Sequence, residues 1–179
     1  MKTLSEKQAL LKLHKLKSEL QDFVRCNYEQ KAKSCLTCDT KGACCLDAHF
    51  VNVHITRLEA VSIRNELNKF SVERQREIYS RVEKTIERYN LGSTGDTFLK
   101  AFACPLFEKE AGCLVHLSGK PAPCVLHACY ENKEDLPPDE LQTEAESQIE
   151  KLNEQTYKIF PQWLPLPVWL SLMNPFKRN

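Results

Sequence analysis

Several features that would place a chain in a known chemical class are missing from these 179 residues. No stretch approaches the ~20 consecutive apolar residues needed to cross a bilayer, so no membrane partner is expected. Neither sign of charge dominates. The 25 Lys and Arg against 24 Asp and Glu leave a formal charge of +1, and nucleic-acid binding normally shows as a concentrated basic face. Residues 1–22 carry charges throughout and lack the uninterrupted apolar core of a secretory signal. A cytoplasmic location is therefore expected. There is no glycine-rich nucleotide loop, no three-cysteine radical-SAM signature and no evident nucleophile–base pair, which makes an enzyme the lesser expectation. Internal repeats and low-complexity segments are also absent. What remains is ordinary for one soluble domain: 42% hydrophobic and 27% charged residues.

Nine cysteines stand out against that background. The count is odd and no export signal accompanies it, which disfavours a disulfide framework. In a reducing compartment clustered cysteines more often bind metal or do redox chemistry. Cys26, Cys35, Cys38, Cys44 and Cys45 form one group; Cys104, Cys113, Cys124 and Cys129 form the other. Cys35-Leu36-Thr37-Cys38 is a C-x-x-C pair, the spacing that lets one tight turn point two thiolates at a single ion. Gly42 and Ala43 are small enough to let backbone approach a centre. Cys44 and Cys45 are adjacent, so their side chains diverge and one can face the first pair's centre. A thioredoxin-like motif would also use C-x-x-C, but after a strand and opening a helix. Here the pair lies in a polar loop after a helix. Cys26, near the end of an amphipathic helix, reads as a small buried apolar residue. His116 and His127 lie within the second group as candidate ligands or hydrogen-bond donors to a thiolate. For each histidine singly, His49 and His54 included, a solvated or satisfied ring is the better reading, and His14 reads as solvated.

The hydrophobic pattern is mostly helical. Ala9, Leu13, Leu16, Leu20 and Phe23 predict an amphipathic helix from about Leu4 to Val24, with Thr3 and Glu6 as its capping box. Residues 31–45 read as a loop, and Phe50–Ile55 as a short strand. Thr56 and Glu59 form a second capping box opening a helix to about Lys69. Ser71 caps another from Val72 to Tyr89, striped by Val72, Ile78, Val82, Ile86 and Tyr89, with Glu77 and Arg81 as an i,i+4 pair. Residues 92–96 are a break. Phe98–Tyr130 suits a small hairpin and loops. An acidic helix runs from Leu136 to about Lys158, and a tail with Trp163, Trp169 and four prolines packs back on the core.

Four separated elements occur in one order: Cys35-x-x-Cys38 with Cys44-Cys45; Val53-His54-Ile55-Thr56-x-x-Glu59; Cys104-Pro105-Leu106-Phe107 with Gly112-Cys113-Leu114-Val115-His116; and Lys120-Pro121-Ala122-Pro123-Cys124. This arrangement, over about residues 35–130, resembles the YkgJ-type cysteine-cluster family, a zinc- or iron-chelating domain. The gap after Cys38 is longer than is usual there. His116 stands for a common tyrosine, Lys120 for an arginine, and Val125 for the arginine after the last motif cysteine. No candidate thiolate is lost. A related cysteine cluster beside the flagellin lysine methylases makes an iron–sulfur centre one form the resemblance implies.

Residues and resemblance together predict a mainly α single domain with a small irregular β/loop metal-binding core and helical extensions at both ends. Residues 1–30 form the N-terminal amphipathic helix, 31–134 the cysteine-cluster domain, and 135–179 the acidic helix and Pro/Trp-rich tail. The expected ligands are Cys35, Cys38, Cys44, Cys45, Cys104, Cys113, Cys124 and Cys129. The expected cofactor is zinc or iron, a 4Fe-4S cluster included. Two other functions stand behind this one: an iron–sulfur electron-transfer enzyme, and an adaptor whose acidic helix (Asp139–Glu154) and aromatic tail bind a protein partner.

Overall fold

The structure is a computed structural model that describes residues 3–33, 42–46, 52–109, 111–160 and 162–177. Its first helix, α1 (Glu6–Asn27), starts two residues later than the Thr3/Glu6 box would place it. Ser5 caps it, accepting from the Gln8 N–H while Gln8 Oε1 accepts from the Ser5 N–H at 3.2 Å. Burial decides the choice. Leu4 before the cap and Ala9 in the first turn enter the same apolar cluster, the staple that sets a helix's entry angle. Ala9 and Leu13 are fully buried, but Phe23 at the end of the predicted stripe is exposed.

The short strand β1 (His54–Ile55) leads into α2 (Arg57–Leu67), capped by Thr56 as predicted. Ser71 caps α3 (Val72–Tyr89), and Asn90 ends it in the left-handed conformation, φ 48°. Ile78 and Val82 form the buried stripe, whereas Val72 is exposed. The predicted Glu77–Arg81 pair does not form. Arg74 takes Glu77 at 2.7 Å, and Arg81 turns inward to donate Nη1 to Glu108 at 2.5 Å and Nε to the Pro105 carbonyl at 3.1 Å. A half-buried partner with a backbone acceptor beside it outcompetes an exposed i,i+4 pair worth a few tenths of a kcal/mol.

The predicted hairpin is present: β2 (Phe107–Glu108) pairs antiparallel with β3 (Gly112–Cys113). The sequence pattern missed α4 (Ala122–Leu126) and α6 (Leu166–Leu172). Both are led by proline, in Pro121/Pro123 and Pro165/Pro167. Proline reads as a breaker in sequence but is tolerated in a first turn, where its missing N–H had no intrahelical partner. The acidic helix is α5 (Asp139–Tyr157).

Three apolar clusters join these elements among the described residues, the smallest formed by Leu91, Phe102, Leu164 and Val168. Leu13, Leu58, Ala122, Ala145 and Ile149 tie α1, α2, α4 and α5 together. Ile55, Ile63, Ile78, Leu106 and Leu170 tie α2, α3 and α6 to β1 and the hairpin. The tail does return to the core: β4 (Leu164–Pro165) pairs antiparallel with β1, and Leu166 N–H donates to the Val53 carbonyl at 2.9 Å. Among the described residues no helix is long and apolar enough to cross a membrane.

Candidate metal centre

The segment after α1 is held near the second cysteine group by backbone. Ala32 forms an antiparallel bridge with Tyr130, and Lys33 N–H donates to the Cys129 carbonyl at 2.7 Å. Cys35 and Cys38 lie outside the described residues. Cys44 and Cys45 sit on a single 3-10 turn, Ala43–Cys45, entered through Gly42 at φ 77°. That positive φ needs glycine, and so does the space. An added Cβ at Gly42 would overlap the Phe107 ring of β2, with even Cε1 2.9 Å away. The turn closes through Cys45 N–H to the Gly42 carbonyl at 2.8 Å.

A backbone hydrogen bond joins the two cysteine groups: Cys104 N–H donates to the Cys45 carbonyl at 2.8 Å. Phe107 stacks on the Gly42 end of the same turn, so β2 and the Cys44–Cys45 turn are locked from two sides. Cys113 stands opposite Phe107 across the hairpin, and Arg81 and Arg74 anchor that hairpin to α3 through Glu108. Cys124 rides on α4. All of these cysteines, and Cys129, are partly buried.

Five thiols share one electrostatic environment. Hydrogen bonding with Cys44, burial, and the neighbouring Cys104 and Cys124 push the Cys45 thiol far up. Burial raises Cys104 to about 12, with Cys113 and Cys44 adding to it. Burial also raises Cys113 and Cys124, and Cys124 feels Cys104 and Cys113 as well. Opposing influences are built in. The backbone at Leu106 and Phe107 pulls Cys104 down, that at Val115 does the same for Cys113, and Lys120 does so for both Cys113 and Cys124. All of these favour the thiolate. Among the described residues, no three His, Cys, Asp or Glu side chains stand close enough together to hold one ion. The thiols are thus neighbours as charges without forming a closed ligand set among themselves.

The remaining predicted residues fall elsewhere. Cys26 is exposed, which corrects its reading as a buried apolar residue. It lies two positions beyond buried Val24, a rotation of about 200° around the helix. His116 is exposed, and His127 is partly buried at the end of α4. His54 is buried and satisfied, its Nδ1 2.6 Å from the Asn52 carbonyl and its Nε2 2.9 Å from Thr97 Oγ1. His14 is half-buried, not fully solvated, and burial lowers its pKa. His49 lies outside the described residues.

Sequence reasoning missed Glu59 as anything but a cap residue. Its backbone does receive the Thr56 cap, at 3.5 Å, but its carboxylate is fully buried. Oε1 accepts from the Ala122 N–H of α4 at 3.3 Å and pairs with Lys17 of α1 at 3.4 Å. The available signal was Lys17 itself, one helical turn after Leu13 on the apolar stripe. Comparison with protein-family models, curated proteins and solved structures finds no match.

Proposed function

We propose that this protein binds zinc or iron, the iron as an ion or an iron–sulfur cluster, through thiolates drawn from both cysteine groups. One observation carries the reading: the Cys104 N–H to Cys45 carbonyl bond, with Cys113 opposite Phe107 on the hairpin, brings cysteines of both groups to one place, where their thiols raise one another's pKa. The Lys120 cation near Cys113 and Cys124 favours a thiolate over a neutral thiol. Crowded thiolates repel one another until a cation lies among them, and that cation reverses the balance that otherwise keeps them protonated. In this reading Cys35, Cys38 and Cys129 complete the set with Cys44, Cys45, Cys104, Cys113 and Cys124. The order of the four motif elements supports the same chemistry. The metal holds together loops that bury little apolar surface, with no catalytic step required of it. A reducing cytoplasm keeps these thiols available.

Purification without oxygen followed by elemental analysis tests this directly. Bound zinc in a colourless protein, or iron in a brown one, supports the proposal and separates a zinc site from an iron–sulfur centre. Metal-free protein with disulfides found by mass spectrometry overturns it.

A further inference from the structure

The buried charge pair beside Cys124 has no part in the apolar clusters around it. Glu59 is 0% exposed and Lys17 7% exposed. Glu59 Oε2 and Lys17 Nζ are both buried without a hydrogen-bond partner, although the two residues pair as charges at 3.4 Å. Burying such a pair is costly, and apolar residues of similar volume commonly replace one without loss. The position of the carboxylate gives a reason for it. Helix α4 opens Pro121-Ala122-Pro123-Cys124, with no side-chain cap from its own N-cap residue. Two prolines remove two donors, and Val125 N–H is taken by the Pro121 carbonyl at 3.0 Å. Ala122 N–H is the donor left two residues before Cys124, and Glu59 Oε1 accepts it. An acceptor from α2 thus fixes the start of the short helix that presents Cys124.

We propose that Glu59 is a positioning residue for Cys124, its carboxylate tethering the first turn of α4 so that this thiol faces Cys104 and Cys113, with Lys17 packed against the carboxylate at 3.4 Å as its partner in the core. This rests on the metal-binding reading above.

Two double variants separate the tether from the charge. Lys17→Met/Glu59→Gln removes both charges but keeps an acceptor for Ala122; Lys17→Met/Glu59→Leu removes the acceptor as well. Cobalt(II) serves as the spectroscopic probe. Its thiolate charge-transfer absorbance reports how many sulfurs bind, and alkylation of each cysteine, read by mass spectrometry on metal-free protein, reports individual thiols. The Leu double variant should bind cobalt at least tenfold more weakly than the Gln double variant, in line with losses on removing a supporting partner of a metal ligand. It should also lose one thiolate's share of absorbance, and its Cys124 should be alkylated faster while Cys113 stays unchanged. A merely structural role would alter all the thiols alike. Equal cobalt affinity and equal Cys124 reactivity in the two double variants overturn the proposal. Should the Leu variant not fold, Glu59→Asp keeps the charge for Lys17 and withdraws the acceptor by about 1.5 Å; unchanged Cys124 reactivity in it overturns the proposal equally. If wild-type protein binds no cobalt, the metal-binding reading fails first and the tether falls with it, an outcome distinct from failure of the variants alone.

Discussion

Alanine at position 42 would place a methyl group inside the Phe107 ring and force a left-handed backbone on a residue with a Cβ. The two costs can be separated within this protein. Gly95 and Gly112 have φ of 81° and 79°, close to the 77° of Gly42, but an added Cβ at either meets nothing within 4 Å. Gly95→Ala therefore carries the backbone term alone, about 1–2 kcal/mol. Gly42→Ala carries the same term plus displacement of an aromatic ring, about 1–3 kcal/mol by analogy with overpacked cores. The total of roughly 2–5 kcal/mol is a large part of the 5–15 kcal/mol by which a domain of this kind is usually stable. Urea unfolding of Gly42→Ala, Gly95→Ala and wild type, monitored by circular dichroism, gives the difference. Adding Phe107→Ala to Gly42→Ala should return the steric part and leave the backbone part, so a double-mutant cycle should show a coupling of about 1–3 kcal/mol. Because the ring locks the Cys44–Cys45 turn against β2, Gly42→Ala should also lower metal content where Gly95→Ala does not. If the two single variants are equally stable and bind metal equally, the turn is not locked by Phe107 and the reasoning fails.

Four further outcomes are expected. Cys124→Ser and Cys35→Ser should each lower metal content and thermal stability, since binding free energy at a structural site is also folding free energy; Cys26→Ser, on an exposed side chain, should change neither, as elemental analysis and a thermal melt would show. Zinc added to metal-free protein at pH 7 should release close to one proton per ligating thiol, because burial and crowding keep Cys45, Cys104, Cys113 and Cys124 protonated; calorimetry in buffers of different ionisation enthalpy counts them, and far fewer protons would contradict the raised thiols. Burial pushes the Glu83 carboxyl up, but hydrogen bonds from Ser171, Asn174 and Lys177 outweigh it and hold it below its ordinary value. The stability it contributes is then present above the unfolded carboxyl pKa of about 4.3 and lost as pH falls through the lower folded value, so the urea midpoint of Glu83→Gln should fall less than that of wild type between pH 5 and 3. Ile149→Ala, at a fully buried position joining α5 to α1, should cost about 2–5 kcal/mol in the same urea assay.

The long helices were legible because each carries its own evidence: Thr56 and Ser71 cap α2 and α3, and Ile78 and Val82 mark a buried face. Two kinds of information were not local. Prolines at 121, 123, 165 and 167 give the same signal for a break as for a helix's first turn, and only the packing of Ala122, Leu166 and Leu170 distinguishes them. The meeting of the two cysteine groups depends on a backbone hydrogen bond between Cys104 and Cys45, for which side-chain identity gives no sign. Glu59 shows the same limit. A capping-box glutamate looks alike in sequence whether its carboxylate returns to the cap or, as here, crosses to Ala122 and Lys17. Cys26 failed for a simpler reason: an amphipathic stripe identifies a face, and Cys26 lies off it.

X-ray absorption at the metal edge of protein purified without oxygen tests the central claim most directly. The account predicts bound zinc or iron with a sulfur-dominated environment, at about 2.3 Å if the metal is zinc, and loss of sulfur scattering on Cys104→Ser or Cys113→Ser. Metal surrounded by oxygen and nitrogen alone, or metal-free protein with every thiol reduced, would contradict it.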